Sequence, residues 1–206
     1  MKVLVLEVGA LGTNCYIAVN EEENRGVIID PGADAKNILS AVSQKNLEID
    51  AILLTHGHSD HIGALAEVKE ALKCPVVISE GDAGMLTDSR KNLSAFMGAG
   101  MAFKGADRLV NDEDVLDFAG LRFEVLSTPG HTPGGCCYKC GDIVFCGDTI
   151  FCESIGRTDF PGGSYSQLLQ SIKNKILTLP DNTKLLPGHG PATDVAWERR
   201  MNPFLQ

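Results

Sequence analysis

The chain has 206 residues, long for one domain and short for two at roughly 150 residues per domain. Apolar residues make up 44% and charged residues 22%, the proportions of a globular protein whose core needs no disulfide staple or structural metal. Eighteen Lys and Arg against 27 Asp and Glu give a net charge of −9, which argues against a nucleic-acid or anionic-membrane footprint, because either wants a basic surface.

Strands are expected over Lys2–Val8 and residues 14–19 and 26–29, followed by a helix over 35–45 and a strand over 51–54. A helix over 62–72, a strand over 75–78 and a helix over 81–90 come next. Residues 92–105 carry Phe96, Met97, Met101 and Phe103 among Gly98, Gly100 and Gly105. They read as a helix pair packed by adaptable Met side chains, with a mobile apolar wall beside a site as the alternative. Strands over 122–126, 135–138 and 143–146 lead to a helix over 164–177, with Ser164 as its N-cap and Gln167 completing a capping box. A strand over 184–186 and a helix over 194–201 close the pattern. Meanders first and alternation later suggest two sheets with outer helices, in one domain spanning 1–206. No uncharged run reaches the ~18 residues of a membrane span, and the N-terminus lacks a small-residue cleavage site, so it reads as a strand rather than a signal peptide. Seven cysteines, an odd number, read as reduced thiols in a cytoplasmic protein.

The histidines carry the chemistry. Three lie in Thr55-His56-Gly57-His58-Ser59-Asp60-His61, a fourth in Pro129-Gly130-His131-Thr132-Pro133, and the fifth in Pro187-Gly188-His189-Gly190-Pro191. Asp148 sits in Cys146-Gly147-Asp148-Thr149, again just past a strand. A lone His is more often a satisfied polar residue than a ligand, but here every His falls on a Gly- or Pro-punctuated loop after a strand. Imidazole and carboxylate together favour Zn, Fe, Ni or Mn over a soft thiolate metal. His56 and His58, two apart on an extended loop, can face one ion while Asp60 and His61 turn towards a second.

With its His-x-His-x-Asp-His string followed by later His, Asp and His, the chain resembles the metallo-β-lactamase superfamily. The resemblance runs from Thr13-Asn14-Cys15-Tyr16 and Ile29-Asp30-Pro31-Gly32 to Gly188-His189-Gly190-Pro191. It implies an α+β fold, a four-layer αββα sandwich of two mixed sheets with outer helices. It also implies two divalent metal ions, Zn first with Fe or Mn as alternatives. His56, His58 and His131 would hold one, Asp60, His61 and His189 the other, and Asp148 would bridge them. Asp30 would orient a ligand through its other ring nitrogen. The catalytic roles fall to Asp60, His58 and Asp148.

Branch features narrow the function. His58 stands where the flavodiiron branch has Glu, and Asp148 where one large antibiotic-cleaving branch has Cys, which disfavours β-lactam hydrolysis. Gly130-His131-Thr132-Pro133-Gly134, Gly156-Arg157-Thr158-Asp159-Phe160 and Glu198-Arg199-Arg200-Met201-Asn202-Pro203 resemble compact glyoxalase II-type enzymes, hydroxyacylglutathione hydrolases. The resemblance implies metal-dependent hydrolysis of a small acyl thioester of the 2-hydroxyacyl thiol class, with Arg157 on the substrate side. Two ions less two carboxylates and a hydroxide leave about one positive charge, which suits an anionic or carbonyl-bearing substrate. The rivals are a persulfide dioxygenase using one iron on His56, His131 and Asp148, another hydrolase such as a lactonase or phosphodiesterase, and a non-catalytic metal-binding module. Cys137-Tyr138-Lys139-Cys140 is spaced like half a zinc knuckle with no second half. Together with Cys136, Cys146 and Cys152 it reads as inert thiols around a hairpin turn.

Overall fold

In a computed structural model that describes residues 1–98 and 100–206, the short apolar runs pair into two six-stranded sheets. In the first, β1 (Lys2–Val8), β2 (Thr13–Asn20) and β3 (Arg25–Ile29) form an antiparallel meander. Helix α1 (Ala35–Gln44) then leads to β4 (Glu48–Leu53), which runs parallel to β3. Helices α2 (Ser59–Ile62) and α3 (Leu65–Leu72) precede β5 (Val76–Ser79). Helix α4 (Ala83–Thr87) precedes β6 (Arg108–Val110), and both strands continue the sheet in parallel.

The second sheet is an antiparallel meander of β7 (Val115–Phe118), β8 (Leu121–Ser127), β9 (Cys136–Cys140) and β10 (Ile143–Gly147). A two-stranded hairpin of β11 (Ile150–Phe151) and β12 (Ser154–Ile155) and helix α5 (Tyr165–Ser171) come next. Strand β13 (Lys184–Pro187) runs parallel to β10, β14 (Thr193–Asp194) forms the edge, and helix α6 (Val195–Met201) covers the outside.

Side-chain alternation along each strand builds the layers. On β2, Tyr16 and Ala18 face the opposite sheet, whereas Cys15, Ile17 and Val19 face the helices. On β4, Ala51 and Leu53 point inward and Ile52 outward, so the strand is a continuous apolar run covered on both faces. Tyr138, Phe123 and Phe145, all fully buried, fill the space between the sheets. Ile38 and Val42 of α1 and Leu65 and Val68 of α3 cover the first sheet; Leu168, Ile172 and Ile176 cover the second. The order helix, sheet, sheet, helix is the expected αββα sandwich. Among the described residues no helix is long and apolar enough to cross a membrane.

Several local expectations need correction. No helix pair forms over 92–105: a single turn of 3-10 helix covers Ser94–Phe96, and Ala99 lies outside the described residues. The Asn92 amide donates to the carbonyls of Met85 and Met101, so a side chain takes backbone groups that a helix would have used. The helix expected over 62–72 breaks around Gly63, whose missing Cβ would lie 2.3 Å from the Gly32 carbonyl oxygen. The helix over 81–90 shrinks to α4, and that over 164–177 changes to a π-helical turn at Ile172–Ile176. Strands β6 and β7 and the β11–β12 hairpin were not legible. Ser164 does cap α5, accepting from the Gln167 N–H at 3.4 Å. All seven cysteines are free. Cys137 packs outward and Cys140 inward, three apart on one strand, so they cannot share an ion as a knuckle would require.

Candidate metal centre

Parallel strands put their following loops at one edge. β3 and β4 share a direction in the first sheet, as do β8, β10 and β13 in the second, and the loops that leave these strands carry every candidate ligand. The two edges are stitched together across the sandwich. Cys136 N donates to Thr55 O at 2.9 Å, and the Tyr138 hydroxyl donates to Leu54 O at 2.9 Å. Asn14 donates through its amide to Pro187 O at 3.0 Å and Gly190 O at 2.9 Å, while the Tyr16 hydroxyl reaches Pro187 O at 2.7 Å. Asn14 and Tyr16 stand in the Thr13–Tyr16 string of the sequence; their function is to hold the His189 loop.

Four of the five rings are oriented by a hydrogen bond on the outward nitrogen. His61 Nδ1 donates to Asp30 Oδ2 at 2.9 Å, His131 Nδ1 to Arg157 O at 2.6 Å, and His189 Nδ1 to Leu11 O at 3.1 Å. His56 Nδ1 lies 3.1 Å from Thr55 Oγ1, whose proton goes to Asp30 Oδ2 at 2.6 Å. These bonds fix the tautomers and leave Nε2 facing the centre on all four rings. His58 differs: its Nδ1 faces His131 Nε2 at 2.9 Å.

The donors gather into two sets whose atoms lie within 4.8 Å of one another: His56, His58 and His131, and Asp60, His61 and His189. Asp148 spans them. Its Oδ1 lies 3.3 Å from His61 Nε2, and its Oδ2 lies 3.5 Å from His131 Nε2 and 3.7 Å from His189 Nε2. Donor atoms of Asp30, His56 and His61 likewise lie within 4.8 Å of one another. The Asp30 carboxylate, however, already accepts from Thr55 N, Thr55 Oγ1 and His61 Nδ1, so it orients rather than ligates.

A cation fits this arrangement. Among the described residues three buried polar side-chain atoms lack a hydrogen-bond partner, and all three face the centre: His56 Nε2, His61 Nε2 and Asp148 Oδ1. Such groups are costly unless something satisfies them. Burial and the facing imidazoles hold His56 well below its ordinary pKa and bring His58 down to about 3, so both present lone pairs. Burial would also lower His61, but the Asp148 and Asp60 carboxylates beside it outweigh that and raise it well above its ordinary value. Burial pushes Asp60 and Asp148 upward, yet His61 next to each holds both below the usual carboxylate range. The field at the centre favours positive charge, and the His and Asp donor set suits a borderline or harder divalent ion.

Arg157 stands on the flank of the centre. Its guanidinium is paired with Asp159 at 2.7 and 3.0 Å in solvent and lies 4.4 Å from the Phe160 ring. Its backbone carbonyl, not its side chain, touches the centre through His131. Phe160 packs edge-on against His58 and His131, and Phe151 against His189. Met97 and Met101, with Val8, Leu11 and Ala33, line a cavity of about 200 Å³ that reaches Asp60. The apolar wall of the alternative reading is therefore present without the helices. Asp82, at the bend before α4, contacts loops on both sides of the centre and is a residue sequence reasoning missed.

Chain topology and donor geometry define a metal-dependent hydrolase fold, and the chain belongs to the metallo-beta-lactamase superfamily, whose family model matches residues 8–189. It is 41% identical over its full length, and 98% of the relative's, to the probable metallo-hydrolase YqgX of Bacillus subtilis. To hydroxyacylglutathione hydrolase GloC of Haemophilus influenzae it is 36% identical, with 100% of this chain and 98% of the relative covered. Two solved structures are similar over most of their length: BLEG-1, a B3 metallo-beta-lactamase, and TTHA1623 in a di-iron-bound form. The first has a TM-score of 0.95 at 38% identity, covering 100% of both chains. The second has a TM-score of 0.86 at 36% identity, covering 98% of this chain and 100% of the other.

Proposed function

We propose that the protein hydrolyses acyl thioesters of the 2-hydroxyacyl thiol class at a binuclear centre. The observation that carries this reading is the full donor set of both clusters in a chain similar from end to end to a hydroxyacylglutathione hydrolase. His56, His58 and His131 would hold one divalent ion, Asp60, His61 and His189 a second, and Asp148 would bridge them; Zn, Fe or Mn suits these donors. When bound, such ions polarise a carbonyl and bring the pKa of water at the site towards ~7.

The chain's own residues supply the rest. Asp60 lies where the apolar cavity meets the centre, so an acyl chain seated against Leu11, Met97 and Met101 brings its carbonyl to that edge. The Asp60 carboxylate accepts a hydrogen bond from an attacking water and so aims it. Phe160 and Phe151 cover the outer faces of the histidines and limit solvent there. Cytoplasmic residence and a small-molecule partner belong to the same proposal.

The test is a substrate panel on protein purified without chelator: lactoyl-glutathione, a simple alkyl thioester, a persulfide with oxygen uptake, and a cephalosporin. Thioester cleavage that dominates the panel is the expected result. Oxygen consumption with the persulfide and inert thioesters would overturn it. β-Lactam cleavage is the second reading, because Asp148 separates this chain only from the Cys-bearing branch and BLEG-1 is so similar in structure.

A further inference from the structure

Asp82 ends the 3-10 turn Glu80–Asp82 that leads from β5 into α4, and its side chain is fully buried. Its Oδ1 accepts from Gly134 N at 2.7 Å. Its Oδ2 accepts from the Thr132 hydroxyl at 2.7 Å and from Gly57 N at 3.2 Å. Gly57 stands between His56 and His58, and Thr132 follows His131. One carboxylate thus ties the Gly57 turn between His56 and His58 to the loop that follows His131, and it makes no hydrogen bond to Asp60, His61 or the His189 loop.

The packing around it leaves no slack. A Cβ on Gly134 would lie 2.3 Å from Asp82 N, one on Gly81 2.7 Å from Gly134 Cα, and one on Gly57 2.5 Å from Met85 Cβ. The bend meets the Gly134 loop backbone to backbone, and Gly57 lies against the Met85 side chain of α4. A buried carboxylate is an expensive tie. Burial pushes the Asp82 carboxyl above its ordinary pKa even though the Thr132 hydroxyl and two backbone N–H groups pull it back.

We propose that Asp82 is the positioning residue of the His56–His58–His131 cluster, setting the spacing of its two loops and so its affinity for a metal ion, as Asp30 orients His61 in the other cluster. This rests on the metal-centre reading above and not on the identity of the substrate. Asp82→Asn keeps the shape but places an amide against at least one N–H donor, whichever way it is turned. Thr132→Val removes a single donor and keeps the loop's volume.

The experiment is a cobalt titration of the full chain, followed by visible absorption and by the shifted imidazole N–H resonances, with a chelator competing. The Nδ1–H signals of His131 and His56 report one cluster, and those of His61 and His189 the other. Asp82→Asn is expected to weaken cobalt binding at the first cluster about 10- to 100-fold, the range seen for outer carboxylates of metal sites. Thr132→Val should move the same cluster by less, and the His61 and His189 signals should saturate as in the parent protein. Equal weakening at both clusters, or none at either, would overturn the assignment. A parent chain that takes up no cobalt would overturn the metal centre itself and this inference with it, whereas an inert thioester with normal cobalt binding would touch only the substrate reading.

Discussion

Gly188→Ala is the sharpest steric probe of the centre. Gly188 lies beside His189, and a Cβ there would sit 2.3 Å from Asp148 Oδ1 and 2.6 Å from His61 Cε1. Ordinary contact would require each group to retreat by about 1 Å. The residue is not among the glycines with positive φ, so alanine adds a methyl group without backbone strain. A misplacement of ~1 Å in a reacting constellation can cost about 100-fold, so kcat/KM for a thioester should fall by about that factor. Metal content should fall too, because Asp148 reaches both clusters. Gly190→Ala is the control. Its φ is 73° and a Cβ there meets nothing within 4 Å, so the change costs about 1–2 kcal/mol of left-handed strain and leaves the centre in place. Steady-state kinetics, metal analysis and thermal unfolding on the two variants separate the effects. A Gly188→Ala enzyme with parental kcat/KM and metal content would refute the view that Asp148 and His61 act from their present positions.

His61→Ala and His189→Ala should each remove about one metal equivalent and most of the turnover; unchanged metal content in both, by elemental analysis, would leave a single-ion centre. Lactoyl-glutathione should show a high KM with kcat largely retained, and simpler thioesters should compete well, because Arg157, Arg199 and Arg200 are engaged elsewhere. Arg157 pairs with Asp159, Arg199 binds Asp181 and the carbonyls of Leu177 and Leu179, and Arg200 lies over Trp197. A low-micromolar KM with other thioesters untouched would contradict this. Glu198→Ala should lower stability by about 3 kcal/mol, roughly 6–12 °C in Tm for a chain of this size. It strips a fully buried acceptor from Glu153 N, the Thr193 hydroxyl and the Asn202 amide, and a shift under 2 °C by calorimetry (a loss of at most ~1 kcal/mol) would show those donors find water.

The parts of this molecule that could be read in sequence are those written locally. The β1 boundaries follow from an apolar run, and the candidate ligands stand out because each interrupts Gly- or Pro-rich turns after a strand. Short pairings were invisible: β6, with three residues, becomes a strand only because β5 offers it an edge. The segment after Asn92 has the apolar spacing of a helix, but the Asn92 amide and the Ser94 hydroxyl bind the Met101 backbone and hold the chain in loops. Asp30 apart, which the Ile29–Gly32 string brought to notice, the groups that orient the centre were hidden for the same reason. Asp82 and Tyr16 make contacts across 50 and 171 residues respectively, and no local pattern announces a partner that far away.

Those separations also order events in time. His58 meets His131 across 73 residues, and Asn14 meets the carbonyl of Pro187 across 173. Contacts of such span close large loops and are made late in folding, after the local helices and hairpins have formed. In small zinc domains the ion organises an otherwise unfolded chain. Here both sheets must be built, and β2 must already lie against the end of β13, before a complete set of donors exists. An ion therefore arrives at a finished scaffold. It would add stability by mass action, about 2.7 kcal/mol at a hundred times its Kd.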